Sequence, residues 1–296
     1  MSRPTIAFAK PEAPATGTLV VLVAEDLALP PTAAALDATC GGALGRAIAK
    51  AGFKGKGFAT LDVVAPAGCE LDRVVLVGLG KPADLSEKDW LKLGGVVGGK
   101  LIDLKVAAAT LLLERADGEG IVAERAADVA LGVRLRAYAF DGYKTKKKDD
   151  EEKTTLDLTL ALADASAAKK LWKARVEPIS DGVTLTRDLI CEPANVLGTE
   201  EFAAKAKKLE KLGVEVEILG EKELKKAGWN ALLGVAQGSK RPPRVVIMRW
   251  NGGAEGEAPV AFVGKGVVFD TGGISIKPAA GMEDMKGDMA GAACVV

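Results

Sequence analysis

The stretch "RVVLVGLGKPADLSEKDWLKLGGVVGGKLIDLKVAAATLLLE", residues 73–114, predicts a strand, a helix and a second strand in succession. "RVVLVGLGK" (73–81) and "VAAATLLLE" (106–114) are short apolar runs of the kind found in buried strands. The segment between them has a helical pattern, with Ser86 as the predicted N-cap. Strands that alternate with helices form βαβ units with parallel strands. The stretch therefore predicts an α/β fold with a mainly parallel sheet.

The flanking sequence extends this pattern in both directions. Further strands are predicted at "TLVVLVAED" (18–26) and at the alternating "TTLDLTLALA" (154–163), and helices at 33–51 and 118–137. The charged run "KTKKKDDEEK" (144–153) is predicted to be a solvated loop. We therefore expect residues 1–167 to form one α/β domain.

A second α/β unit is predicted after this domain. A linking helix is expected over 168–190 and a second domain over 191–296, in which a helix starts at Thr199 as N-cap and stops at Gly213. Its predicted strands are the alternating "VEVEIL" (214–219) and two apolar runs of buried, parallel type, "RVVIMRW" (244–250) and "VAFVGKGVVF" (260–269). The final "DMAGAACVV" is helical and apolar and is followed by no closing strand, so we expect this domain to be truncated in the given sequence.

The composition excludes several classes of protein. The chain has no histidine, so Ser-His-Asp catalysis, Cys-His catalysis and HExxH zinc sites are impossible. Its 40 basic and 40 acidic residues balance, which argues against nucleic acid as a partner. With no signal-peptide pattern and no run of about 18 apolar residues, we expect a cytoplasmic protein without membrane contact. Four cysteines without a CxxC pair predict buried thiols in a reducing compartment: Cys40, Cys69, Cys191 and Cys294.

Two glycine motifs superficially suggest a nucleotide site. "GGVVGGKL" (94–101) fits a phosphate loop but has Leu101 where Ser or Thr would bind magnesium, and it lies inside a helical pattern. "GLG" (78–80) lacks the third glycine and the downstream acid of a dinucleotide fingerprint, so it predicts a tight turn. Neither motif indicates nucleotide binding.

The segment "VGKGVVFDTGGISIKPAAGMEDMKGDMAGAA" (263–293) carries a cluster of lysines and aspartates. Lys265, Asp270, Lys277 and Asp288 are predicted on a strand, at its carboxyl end, in the following glycine-rich loop and at the next helix start. Open α/β sheets bind ligands at the carboxyl ends of strands. Carboxylates can hold a pair of divalent cations, and burial beside a dication favours a neutral lysine amine that coordinates. A second lysine could polarise a substrate carbonyl.

A plainer interpretation of the same residues stays open. Lysine–aspartate pairs are most often solvated surface pairs. Met282, Met285 and Met289, at near-helical spacing, are typical of a helix that faces a hydrophobic core.

The whole segment nevertheless resembles the signature of the leucyl aminopeptidase (cytosol aminopeptidase, M17) family. That signature runs V-G-K-G-x-x-F-D-x-G-G-x-x-x-K-P and then M-x-x-M-K-x-D-M-x-G-A-A, and residues 263–293 match its fixed positions and spacings. "RDLICEPANVLGTEEFA" (187–203) is similar to the family's interdomain helix and N-P-A-N loop. The resemblance implies a macro-like N-terminal domain and a mixed-sheet catalytic domain, here truncated.

The resemblance also implies roles for individual residues. Lys265 and Asp288 would bind the second of two metal ions, Asp270 would bridge both, and Lys277 would be the catalytic electrophile. Met285 would line the pocket for the first side chain of the substrate. The family implies an aminopeptidase acting on peptide substrates and favouring N-terminal leucine, with two Mn²⁺ or Zn²⁺ ions, in a cytoplasmic homo-hexamer.

One part of the family pattern is absent from the sequence. The motif N-T-D-A-E-G-R-L would supply an aspartate and a glutamate to the metals and an arginine that holds bicarbonate as a general base, and no such string occurs here. Two readings follow: a portion of a longer aminopeptidase that contains the motif, or an inactive fragment. In the second case the N-terminal α/β domain would serve as a scaffold that binds a nucleotide, DNA or a protein.

Overall fold

The computed structural model describes residues 3–145 and 155–296. Contacts divide the chain into an N-terminal unit, Met1–Asp181, and a C-terminal unit, Gly182–Val296. The boundary falls inside the predicted linking helix 168–190, and the domain limits expected from the sequence remain predictions. The predicted charged loop lies almost wholly in 146–154, outside the described residues.

A mainly parallel sheet organises the N-terminal unit, as the sequence predicts. Within its described residues the sheet has six strands in the order β1-β6-β5-β2-β4-β3, and only β3 runs antiparallel to its neighbour. The strands are β1 (Thr5–Ala9), β2 (Gly17–Ala24), β3 (Thr60–Val64), β4 (Leu71–Gly80), β5 (Ala108–Leu112) and β6 (Asp157–Ala161). The prediction missed β1 and β3, which are edge strands of five residues.

Strand β2 lies at the centre of the sheet, because its apolar residues are buried on both faces. It pairs Leu22 with Val77 of β4, and Val20 with Leu111 of β5. Leu19 and Val21 point to the opposite face from Val20 and Leu22 and belong to a separate hydrophobic core. Near-continuous apolar sequence is what a strand covered on both faces requires.

Helices cover both faces of this sheet. The helices of the unit are α1 (Pro31–Thr39), α2 (Ala43–Ala51), α3 (Glu87–Asp103), α4 (Ala123–Arg136) and α5 (Ala165–Leu171). Leu44 and Ile48 of α2 pack on one face, and Trp90 and Val97 of α3 on the other. The result is a three-layer α/β/α arrangement, which confirms the predicted fold class.

The predicted helix over 33–51 is two helices. Gly41 and Gly42 have φ of 58° and 80°, a conformation that ends α1 and that glycine adopts without strain. The predicted helix over 118–137 begins later, at Ala123. Ser86 caps α3 as expected, in a capping box with Asp89.

The glycines of "GGVVGGKL" serve the packing of α3 on α4. A Cβ on Gly94 would lie 2.0 Å from the carbonyl oxygen of Val129, and one on Gly132 would lie 2.0 Å from that of Leu91. The motif lies wholly inside α3, so it is no phosphate loop. The "GLG" prediction of a tight turn was wrong, since Gly78 and Gly80 lie at the end of β4 and the backbone of residues 55–57 packs against them.

Helix α5 continues through a π-helical turn, Trp172–Val176, into α6 (Glu177–Cys191). The predicted helix at 168–190 is therefore present. In the C-terminal unit the helices are α7 (Thr199–Lys207), α8 (Glu221–Lys226), α9 (Asn230–Ala236) and α10 (Ala290–Val295). Gly198, not Thr199, occupies the N-cap of α7, and the Glu201 carboxylate accepts a hydrogen bond from its N–H.

Two strands form the described sheet of the C-terminal unit, β7 (Glu215–Leu219) and β8 (Val245–Arg249), and they pair antiparallel. Two expectations were therefore wrong. Strand β8 is half-buried and antiparallel, and 260–269 is not a strand. A strand needs a partner to complete its hydrogen bonds, and no described strand pairs with 260–269. No helix in residues 3–145 or 155–296 combines the length and apolar character needed to cross a membrane.

Candidate functional site

The glycine-rich loop after residue 269 holds Asp270 in a tight turn. The Asp270 carboxylate accepts a hydrogen bond from the N–H of Gly272 at 2.9 Å. Gly272 has φ of 89°, and a Cβ there would lie 2.2 Å from the carbonyl oxygen of Ser275, so only glycine fits. Asp270 was predicted at the end of a strand, and the structure instead places it in this loop, where local hydrogen bonds orient its carboxylate.

Lys277 lies directly against Asp270. The N–H of Lys277 donates to the carbonyl of Thr271 at 2.9 Å, which closes the loop. Its ammonium donates to the Asp270 carbonyl at 2.9 Å and lies 3.0 Å from the Asp270 carboxylate. The same nitrogen is 3.1 Å from the sulfur of Met285. The loop therefore brings three of the predicted site residues into contact.

A second ion pair joins Lys265 and Asp288, with 2.6 Å between Nζ and Oδ1. Asp288 follows the 3-10 turn Met282–Gly287 and precedes α10. The carbonyl of Lys265 accepts from the N–H of Ala292 at 3.0 Å, and a Cβ on Gly264 would lie only 2.5 Å from Ala292 Cα. Backbone contact with α10 thus fixes the pair.

Helix α10 is itself anchored by a small hydrophobic core. Met289 and Ala293 pack with Leu189 of α6 and with Leu197. The hydroxyl of Thr186 donates to the carbonyl of Ala293 at 3.1 Å. Met289 is thus a core residue, as the plainer interpretation of the methionines expects, whereas Met285 faces Lys277.

The charges around Asp270 favour its ionised form. The hydrogen bond from Lys277 holds the pKa of the Asp270 carboxyl below its usual range, and the Gly272 N–H acts in the same direction. The positive charge of Lys265 lowers the pKa of Asp270 further, so Lys265 lies near enough to act on it. The two ion pairs therefore interact electrostatically, and their two lysines and two aspartates are called the lysine–aspartate cluster.

One carboxylate oxygen in this cluster fits a cation. Oδ2 of Asp288 is buried and has no hydrogen-bond partner among the described residues. A buried, unpartnered carboxylate oxygen is costly unless a cation or donor satisfies it. The donor set of carboxylates, with a lysine amine beside them, suits a divalent metal ion. The residues that are present thus fit a metal site.

This donor set is small. Across 3–145 and 155–296, no three Cys, Asp or Glu side chains converge in a way that could hold a metal ion. The cluster supplies only Asp270 and Asp288 as carboxylates, which agrees with the absence of the N-T-D-A-E-G-R-L string from the sequence. The structure places all five predicted residues in this region, and their individual roles remain predictions.

Sequence reasoning placed a sharp turn at Gly272 and Gly273 but missed two contacts that shape the site. The Gly272 N–H orients the Asp270 carboxylate, and the close contact of Gly264 with Ala292 sets the position of Lys265. The glycine pair 272–273 signalled a sharp turn in the sequence. The close contact between Gly264 and α10 could not be predicted from the sequence around either segment, because the two segments are far apart in the chain.

Comparison with known proteins gives matches along most of the chain. Models of two domains match it: the N-terminal domain of the cytosol aminopeptidase family at residues 20–147, and the catalytic domain of the same family at residues 184–296. A probable cytosol aminopeptidase of Rhizobium rhizogenes is 53% identical over 294 residues, covering 98% of this chain and 58% of that protein. The chain thus spans little more than half the length of this curated relative.

Solved structures give the same picture for the fold. A mutant of tomato leucine aminopeptidase superposes with a TM-score of 0.78 at 25% identity, covering 98% of this chain and 58% of that one. The bottromycin maturation enzyme BotP in complex with Mn superposes with a TM-score of 0.69 at 24% identity, covering 95% of this chain and 54% of that one. Each superposition covers nearly the whole of this chain.

Proposed function

Because the chain belongs to the cytosol aminopeptidase family, whose members are M17 metallopeptidases, we propose that the whole protein is a metal-dependent aminopeptidase. It would release N-terminal residues from peptides, with leucine favoured. One observation supports this most: the buried, unpartnered oxygen of Asp288 beside Lys265, next to the Asp270–Lys277 pair.

In this proposal each residue has a distinct task. Lys265, Asp288 and Asp270 would hold the divalent cations. Two such cations, when bound, supply Lewis-acid chemistry that activates water and anchors the substrate's free α-amine. Asp270 is suited to this task because the hydrogen bond from Lys277 lowers the pKa of its carboxyl and so favours the ionised form.

Lys277 acts on the substrate in this proposal. Its ammonium is held by the Asp270 carbonyl and by Met285, and it would donate a hydrogen bond to the oxygen of the scissile carbonyl. Met285, which touches the same ammonium, would border the pocket for the first side chain. A thioether suits this position because it is apolar and adaptable.

Metal binding and hydrolysis test the proposal together. Chelator-treated whole protein is titrated with Mn²⁺ and with Zn²⁺ by calorimetry, and leucine amide hydrolysis is followed in parallel. Asp288→Asn should weaken metal affinity at least tenfold, because it removes the charge from the unpartnered oxygen. Asp270→Ala should abolish hydrolysis.

The matched control is Asp284→Asn, an exposed carboxylate on the 3-10 turn that precedes Asp288. This variant should bind metal like the parent. Equal metal affinity in the parent and in Asp288→Asn would overturn the metal site, and near-normal turnover by Asp270→Ala would overturn the catalytic assignment.

The identity of the metal ions, the role of bicarbonate, the oligomeric state and the cellular location are proposed from the resemblance to the aminopeptidase family. We propose Mn²⁺ or Zn²⁺ as the native ions, and Mn is the metal bound in the structurally similar BotP. Bicarbonate in the whole protein, a homo-hexamer and a cytoplasmic location are proposed on the same ground. Light scattering coupled to size exclusion measures the hexamer, and a monomer at working concentration would contradict it.

The alternative of an inactive scaffold, in which the N-terminal unit binds a nucleotide, DNA or a protein partner, is not favoured. Open α/β sheets bind phosphates where neighbouring strands send their connections in opposite directions, here between β2 and β5, at a helix N-terminus. At this place the Glu114 carboxylate already accepts a hydrogen bond from the Thr32 N–H, in the first turn of α1, at 3.2 Å. An internal carboxylate therefore occupies the position that a phosphate would take.

A further inference from the structure

Two of the four cysteines are neighbours in the N-terminal unit, although 28 residues separate them in the sequence. Cys40 ends α1, and Cys69 lies in the turn between β3 and β4. Gly68, the residue before Cys69, packs against the backbone of Cys40, and the Cys69 thiol lies near enough to the Cys40 thiol to raise its pKa. All four cysteines of the chain are free thiols in the described structure. The predicted burial of all four was wrong, because only Cys40 is fully buried and Cys294 is exposed.

Backbone packing holds the two cysteines together. A Cβ on Gly68 would lie 3.0 Å from the Cα of Cys40 and 3.3 Å from the carbonyl oxygen of Thr39. The backbone just before Cys69 therefore rests directly on the end of α1. The sulfur of Cys69 also lies 3.5 Å from the carbonyl oxygen of Pro66. Backbone packing therefore brings the two residues near each other.

The two thiols differ in their access to solvent. Cys40 is 4% exposed, whereas Cys69 is half-buried in a turn whose residues Gly68 and Glu70 are exposed. Burial, and then the neighbouring Cys69 thiol, raise the pKa of the Cys40 thiol to about 11. Cys40 therefore stays protonated at neutral pH, and a small oxidant reaches Cys69 first.

We propose that Cys40 and Cys69 form a modification site, a thiol pair that a peroxide oxidises to an intramolecular disulfide. The Cys69 sulfur attacks a peroxide oxygen, the O–O bond breaks, and water leaves from hydrogen peroxide with the thiol proton. Cys69 is then a sulfenic acid, oxidised by two electrons. The Cys40 sulfur attacks the Cys69 sulfur, the S–O bond breaks, and a second water leaves with the Cys40 proton.

The surrounding turns can accommodate the new bond. Gly41 and Gly42 follow Cys40, and Gly68 precedes Cys69, all with positive φ. Glycines at these places allow the small backbone shifts that disulfide geometry demands. The bond would tie the α1–α2 turn to the edge hairpin β3–β4 and close a loop of about 30 residues.

Peptide mapping of the oxidised protein tests the proposal. The reduced, native protein is treated with hydrogen peroxide, remaining thiols are alkylated under denaturing conditions, and peptides are analysed by mass spectrometry. We expect the peptides that contain Cys40 and Cys69 to be joined, with a loss of about 2 Da. The melting temperature should rise on the order of 5 °C and return to its starting value with reductant.

Single variants separate the two steps. Cys40→Ser should leave Cys69 as a sulfenic acid that dimedone labels, with no disulfide, whereas Cys191→Ser should form the disulfide like the parent. Full alkylation of both Cys40 and Cys69 after peroxide, or a disulfide that joins Cys191 or Cys294, would overturn the proposal. Because the mapping uses the parent protein, poor folding of Cys40→Ser would not obscure this outcome. Metal binding at Asp270 and Asp288 is a separate readout in the other unit.

Discussion

Asp270 and Lys277 show how the residues of one short loop can orient a carboxylate and keep it ionised. The Lys277 ammonium meets both the carbonyl and the carboxylate of Asp270, while the Gly272 N–H holds the other carboxylate oxygen. The aspartate is therefore oriented and kept ionised by groups within seven residues of it in the chain. Because the contacts are local in the chain, the spacing of Asp270 and Lys277 in the sequence was enough to predict that the two residues lie close together.

The pKa of Asp270 should respond to Lys277. In chelator-treated protein, Lys277→Met should raise the pKa of Asp270 toward the usual value of about 3.9, because the hydrogen bond from Lys277 is the main cause of its depression. Carbon-13 NMR titration of the Asp270 carboxyl measures this shift. Lys286→Met, a substitution of a nearby lysine that makes no described ion pair with Asp270, is the control and should leave the titration unchanged.

The sign of the accompanying stability effect follows from the direction of the pKa shift. A depressed pKa in the folded state stabilises the protein above the unfolded pKa of about 3.9, and this contribution is lost as pH falls through the folded pKa. Lys277→Met should therefore lose less stability than the parent on acidification below about pH 4. An Asp270 titration midpoint that is the same in both proteins would contradict the role given to Lys277.

At the scale of elements, α3 and α4 are packed through glycine. Gly94 and Gly132 each face a carbonyl of the opposite helix at a distance that no Cβ tolerates. Glycine lowers the stability of an isolated helix by up to about 1 kcal/mol relative to alanine. Here the close approach of the two helices outweighs that cost, and it is this contact that gave α3 a sequence resembling a phosphate loop.

Alanine substitutions in α3 should therefore have opposite effects at adjacent positions. Gly94→Ala should destabilise the protein by about 1–3 kcal/mol, because the helices must move apart. Gly95→Ala should stabilise it by about 0.5–1 kcal/mol, because its nearest neighbour would be 3.9 Å away and alanine favours the helix. Denaturant titration of the parent and both variants measures this, and a Gly94→Ala protein as stable as the parent would refute the packing argument.

Segment 260–269 shows that an apolar pattern in the sequence does not by itself predict a strand. Its apolar residues predicted a buried parallel strand, yet Phe262 is 77% exposed and Val263 is 94% exposed. Strand β8, the nearest preceding strand, pairs with β7. An apolar run makes a strand possible, but it becomes a strand only where another strand pairs with it, and no described strand pairs with 260–269.

At the scale of the whole molecule, the two units differ in how completely they bury their apolar residues. The described N-terminal unit has two large cores, one on each face of its sheet. The C-terminal unit has a small core around Leu189 and Met289 and leaves Phe262, Val263 and Ile274 exposed. Contiguous exposed apolar residues favour association.

The N-terminal unit should therefore fold on its own. A fragment 1–181 is expected to melt cooperatively, because its strands and both its cores lie within one unit. A fragment 182–296 is expected to bind an apolar fluorescent dye and to melt without cooperativity. Circular dichroism measures the melting of each fragment, and dye fluorescence measures its exposed apolar surface. A gradual, uncooperative melt of fragment 1–181 would contradict the prediction that the N-terminal unit folds on its own.

The sequence by itself determined the α/β class and the strands β2, β4, β5 and β6, and it supplied the five residues that remain predictions for the candidate site. These features have local signatures: buried strands are apolar throughout, and the lysines and aspartates stand at spacings that match a family signature. Tertiary structure alone decided the edge strands β1 and β3, the antiparallel pairing of β8, the Lys265–Asp288 contact and the meeting of Cys40 with Cys69. These features depend on which distant segment supplies the partner for a hydrogen bond or a contact, and periodicity within one segment carries no information about that partner.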